Sequence, residues 1–194
     1  FGVQVDYVPL AELAGWDAAI KPNTKLIYVE SPANPTMVLV DIAAVVERGM
    51  ACLNNEKFWG APNAARAVIW TLLPGAGEGK PDPYQTLKQS AQLGEQKGVR
   101  LPHAMYAVAA QASGDDAKIR DALKTFAQAR SDEKPVNPQF KLIDSMAEIM
   151  VKGIADRYWT EHTGVRAADD GMERFWDESA SSPDLDALFD GKPE

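Results

Sequence analysis

Leu26-Ile27-Tyr28-Val29, followed at once by Glu30-Ser31-Pro32-Ala33-Asn34-Pro35, is the stretch on which the fold reading turns. Four consecutive apolar or aromatic residues, too few for a helix, read as a central strand covered on both faces. The two prolines and the asparagine after them impose a loop. Upstream, Phe1-Gly2-Val3-Gln4-Val5-Asp6-Tyr7-Val8 alternates apolar and polar residues as a strand does, and Pro9, with no amide hydrogen, ends its ladder. Between the two runs, Leu10, Leu13, Trp16 and Ile20 recur at helical spacing before Lys21-Pro22-Asn23 breaks the pattern. Downstream, Asp41 is placed to cap a helix over residues 42–48. Strand, helix, strand, loop and helix in this order predict a piece of a doubly wound α/β sheet, with the loop after Val29 at the carboxyl end where ligands bind.

Beyond residue 50 the alternation stops and a helical pattern begins, punctuated by glycine and proline. Helices are expected over residues 63–73, 84–97, 102–112, 115–129, 138–160 and 171–179. Asp115 and Asp116, just after Gly114, sit where a helix dipole favours carboxylates. The segment from Pro138 is the strongest: Phe140, Ile143, Ala147, Met150 and Ile154 form one apolar stripe and Leu142, Met146 and Ile149 a second, so it is expected at the centre of a small bundle. The expected organisation is an α/β fragment over residues 1–49, a helical bundle over 50–162, and an acidic tail over 163–194 that begins with a solvated helix and then frays. The overall fold class is therefore an α/β fragment followed by a mostly α-helical segment.

Across 194 residues the net charge is −8, which argues against nucleic acid and anionic lipid as partners, since both need concentrated Lys and Arg. No apolar run is long enough to span a membrane, and the single cysteine, Cys52, cannot form an internal disulfide, so a cytoplasmic location is expected. Because the sequence starts with Phe1 in a strand-like run, it reads as a fragment of something longer.

The pieces Phe1-Gly2-Val3-Gln4-Val5, Ala19-Ile20-Lys21-Pro22-Asn23-Thr24-Lys25, Glu30-Ser31-Pro32-Ala33-Asn34-Pro35 and Val40-Asp41-Ile42-Ala43-Ala44-Val45 together resemble the trans-sulfuration family of pyridoxal-phosphate enzymes. That family includes methionine gamma-lyase, cystathionine gamma-synthase and the homoserine sulfhydrylases. The resemblance covers residues 1–49 and implies a piece of the large domain of the type I pyridoxal-phosphate fold. It implies that Asn34 lies beside the phenolic oxygen of the cofactor, where a side-chain amide can donate a hydrogen bond and support the ring as electron sink. It also allows a homo-oligomer. The departures weigh heavily: after Met50 no motif supplies the aspartate that pairs with the pyridine nitrogen or the Schiff-base lysine, and the phosphate loop would precede Phe1. The chain alone is therefore expected to hold no stable pyridoxal phosphate and to have no catalytic residues of its own, an enzyme segment joined near Met50 to an unrelated helical frame.

Other chemistry-bearing residues read as structural. Gly75-Ala76-Gly77-Glu78-Gly79-Lys80 lacks the spacing and hydroxyl of a phosphate loop and reads as a surface loop. His103 and His162 have no neighbours at metal spacing, so no metal site is expected. Asp144 and Glu148, with Lys141 and Lys152 nearby, read as a solvated salt-bridged edge, and Cys52 as an incidental thiol. Tyr158, Trp159, Phe175 and Trp176 read first as core packing and second as a surface for a protein partner on the late helices.

Overall fold

A computed structural model of the chain describes residues 3–8, 13–28, 41–131 and 135–178. Seven α-helices occur among them: α1 (Leu13–Ala19), α2 (Ile42–Ala51), α3 (Ala61–Leu72), α4 (Pro83–Gln96), α5 (Leu101–Ser113), α6 (Asp116–Ser131) and α7 (Lys141–Thr163), the last entered through a 3-10 turn at Pro138–Phe140. Their starts follow from local chemistry. Asp41 accepts the Ala44 amide at 2.9 Å and Asp82 the Gln85 amide at 2.6 Å, as N-caps do, and Pro62, Pro83 and Pro102 fall in first turns where a missing amide hydrogen costs nothing. Gly114 and Gly164 end α5 and α7 in the left-handed conformation.

The α/β reading of the first fifty residues is overturned: the described residues contain no strand and no sheet. Residues 3–8 and 24–28 have no ladder partner, and Val3, Tyr7, Leu26 and Tyr28 are 78, 93, 81 and 79 % exposed. The physical reason is that a strand is stable only beside other strands, and the described residues supply none to complete a parallel sheet. Val29 and the loop carrying Asn34 lie outside the described residues. What remains of the segment is helical: α1 packs on α2, Trp16 is buried, and an ion pair of 2.8 Å from Lys21, just after α1, to Asp6 ties the extended residues to that unit.

The centre of the bundle is α5, not the long helix from Pro138. It packs against α3, α4, α6 and α7 at once. Its sequence permits this because Ala104, Ala107, Ala109 and Ala110 are all buried and their small side chains let four neighbours approach closely, while Tyr106 and His103 fill the gaps. Phe126, Leu123, Leu87, Val151 and Tyr158 complete the core from the surrounding helices. α7 contributes only the face of Asp144, Ala147, Val151, Ile154, Ala155 and Tyr158, leaving its second apolar stripe in solvent. The helix expected over 171–179 is also corrected: residues 169–173 and 176–177 form turns, because Phe175 and Trp176 are drawn onto α6 and α7.

α2 runs through Met50 and is bound to α3 and to the turns after it. Glu47 accepts from Arg66 Nε and Nη2 at 3.1 Å each and from Trp70 Nε1 at 3.3 Å, with Lys80 Nζ at 3.7 Å. Burial alone would raise the Glu47 carboxyl, but the hydrogen bonds from Arg66 and Trp70 outweigh it and hold the group below its ordinary range.

Candidate functional site

The densest set of charged groups lies where the α4–α5 link meets α6 and α7. Arg100, just before α5, donates its backbone amide to Asp144 Oδ1 at 2.9 Å and its Nε to both carboxylate oxygens at 3.0 and 3.2 Å, and its Nη2 pairs with Oδ2. The Asp144 residue is 2 % exposed. One turn along α7, Glu148 bonds Lys152 at 2.8 Å and lies 3.9 Å from Arg100 and 3.7 Å from Arg130. The Arg100 guanidinium also covers the Phe126 ring at 5.5 Å. Burial pushes the Asp144 carboxyl up, but the Arg100 hydrogen bonds more than reverse this and keep it ionised below its usual range. The solvated edge expected for this pair is therefore split: Glu148 is an edge residue, whereas Asp144 is a buried anchor.

His103 follows Arg100 by one turn. Its ring is 1 % exposed, sits edge-on to Phe126 at 6.2 Å, and neither nitrogen has a hydrogen-bond partner; Nε2 is 3.8 Å from Glu95. Burial lowers its pKa to about 4, Arg100 adds to the effect and Asp144 opposes it. The imidazole is consequently neutral near pH 7. A pocket of about 330 Å³ opens beside it, lined by Glu95, Gly98, Arg100, Arg130, Val136 and Glu148. Its two guanidinium groups and two carboxylates offset one another, and His103 is sealed from solvent. The arrangement clamps α7 to the α4–α5 link.

A second cluster gathers the late aromatics. Arg120 pairs with both Asp177 carboxylate oxygens at 2.7 and 2.8 Å, donates to Tyr158 Oη at 2.9 Å, and lies 4.8 Å from the Phe175 ring and 5.1 Å from that of Trp176. His162 stacks on Trp176 at 4.7 Å, and its Nδ1 lies 2.8 Å from the Tyr158 carbonyl. Tyr158 and Phe175 are buried, so these side chains lock residues 165–178 onto α6 and α7. The signal missed in the sequence was Arg120 and Asp177, 57 residues apart and unremarkable alone.

The remaining flagged residues are dispersed. Residues 74–79 form turns, with Lys80 reaching Glu47; Cys52 is exposed at the end of α2; no group of three or more potential metal ligands occurs among the described residues. Every described lysine is exposed except the half-buried Lys118, whose ammonium is paired with Asp115. A Schiff-base lysine must be sheltered enough to lose its proton. Among the described residues no lysine is sheltered in this way, and Asn34 lies outside them.

Residues 1–52 match the family model of the Cys/Met metabolism PLP-dependent enzymes. This N-terminal part is a trans-sulfuration family segment. Over 47 residues it is 68 % identical to the O-succinylhomoserine sulfhydrylase of Pseudomonas aeruginosa, covering 24 % of this chain and 12 % of that protein. It is 60 % identical over 45 residues to the L-methionine gamma-lyase of Pseudomonas deceptionensis, covering 23 % of this chain and 11 % of the relative, and 52 % identical over 46 residues to the putative cystathionine gamma-lyase 2 of Caenorhabditis elegans, covering 24 and 12 %. The matched part thus spans about an eighth of the length of these relatives. No solved structure matches the chain. No described helix is long and apolar enough to cross a membrane.

Proposed function

We propose that the chain joins a partial trans-sulfuration segment, residues 1–49, to a helical structural or interaction module, residues 50–162, with the acidic residues 163–194 as its tail, and that it does not catalyse lyase or transferase chemistry alone. The observation that carries this reading is the state of the lysines: all are solvated or ion-paired where described, and none sits in a sequence context like that of the family's Schiff-base lysine. Bound pyridoxal phosphate would supply the electron sink, and Asn34 is the one residue the family pattern would place against its ring oxygen. The reading includes a cytoplasmic location and a protein partner on the late helices.

Incubation of the purified chain with pyridoxal phosphate, followed by borohydride and peptide mass spectrometry, is expected to yield no stoichiometric pyridoxyl-lysine. A single lysine labelled at one per chain, with a yellow protein before reduction, would overturn the proposal.

The modular part of the reading has a separate test. Deleting residues 1–40 leaves α2 and its Glu47 contacts whole, and the shortened chain is expected to keep a single cooperative melt. Extending the deletion through residue 52 removes Glu47 from Arg66 and Trp70 and is expected to lower the midpoint measurably by circular dichroism. A non-cooperative melt after the shorter deletion would mean that the first forty residues belong to the core.

A further inference from the structure

α7 carries two apolar faces, and only one is used inside the bundle. Leu142, Met146 and Ile149 are 75, 54 and 71 % exposed and lie opposite the buried face of Ala147, Val151 and Ile154. With Gly153 they follow one another at intervals of four, three and four residues, the spacing of a seam between paired helices. A Cβ built on Gly153 would meet nothing within 4 Å, so that position is an open notch.

We propose that this face of α7 pairs with the same face of a second copy of the chain, the two helices running antiparallel about a two-fold axis between Met146 and Ile149. Sizes match under that reversal: Leu142 of each copy drops onto Gly153 of the other, and Met146 packs beside Ile149. Charges select the same arrangement. Asp144 is turned into the bundle and Glu148 is held by Lys152 beside Arg100 and Arg130, which leaves no carboxylate on the seam between Leu142 and Gly153. Antiparallel pairing sets Lys152 across from Ser145 and Met150 across from Ile143, whereas parallel pairing would bring Lys152 of each copy against Arg157 of the other. Twelve helical residues extend only about 18 Å. Such a footprint falls short of the ~800 Å² per partner of a standard interface, so the dimer is weak and depends on concentration.

Sedimentation velocity of the full chain from low to several hundred micromolar is expected to show a rise in weight-average coefficient toward dimer. Ile149→Lys and Gly153→Leu, both at solvent-exposed positions, are expected to weaken that association at least tenfold with the circular dichroism spectrum unchanged. In a Cys52→Ser background, Leu142→Cys and Gly153→Cys chains are expected to crosslink with each other under mild oxidation faster than either does with itself. A chain that stays monomeric at every concentration, association unaffected by both seam variants, or preferential self-crosslinking of the Leu142→Cys chain would overturn the proposal. So would a monomer whose Met146 resists peroxide, since the stripe would then be covered by another part of the same chain.

Discussion

Asp144→Ala is expected to lower the unfolding free energy by about 3–5 kcal/mol, measured by urea denaturation at pH 7. The charge removed is one of a buried pair, and the cost arises less from the lost attraction than from what is left behind. Arg100 would keep a guanidinium over Phe126 with its main partner gone, and its backbone amide, now bonded to Asp144 Oδ1, would also lose its acceptor. Glu148, 3.9 Å away and shared with Lys152 and Arg130, cannot replace a carboxylate that accepts from both Arg100 Nε and the amide. Arg100→Met with Asp144→Leu is expected to recover part of the loss, because two apolar side chains remove both desolvated charges, but the orphaned amide keeps the recovery incomplete. A loss below about 1 kcal/mol for Asp144→Ala would place this pair among ordinary surface bridges. The pH dependence has a defined sign. Asp144 is more acidic folded than unfolded, so its contribution is complete above the unfolded carboxylate value and declines as pH falls through the folded one.

Stability is also expected to fall between pH 6.5 and about 4 through His103. Its folded pKa is lowered from 6.5 to about 4, so in that window the unfolded chain binds a proton that the folded chain refuses. Unfolding free energy therefore drops as pH decreases, by roughly 3 kcal/mol if the whole shift is realised. His103→Leu is expected to flatten the profile in this range and to preserve or raise stability at pH 7, since it removes two buried nitrogens that have no partner. An unaltered slope in the Leu variant would assign the acid sensitivity elsewhere.

Helix positions were largely legible because they depend on neighbours in sequence. The Asp41 cap, the prolines of first turns and the glycines after α5 and α7 announce starts and stops through backbone chemistry within a few residues. The family segment was legible for a different reason, since its motifs are contiguous, and the family match over residues 1–52 agrees with them. The site residue those motifs nominated, Asn34, belongs to a stretch outside the described residues. The Arg100–Asp144 anchor joins residues 44 positions apart, and nothing in either neighbourhood marks Asp144 as buried.

Local chemistry thus set the boundaries of the helices, the turns at glycine and proline, and the kinship of the first fifty residues. Tertiary structure decided which apolar stripe of α7 was buried, which carboxylate became an anchor, that alanine-rich α5 would be the centre, and that the strand-like runs would find no ladder. The division has one physical cause. Capping and turn chemistry are satisfied within one segment, whereas burial, ion pairing and strand pairing require a partner whose presence no single stretch of chain encodes.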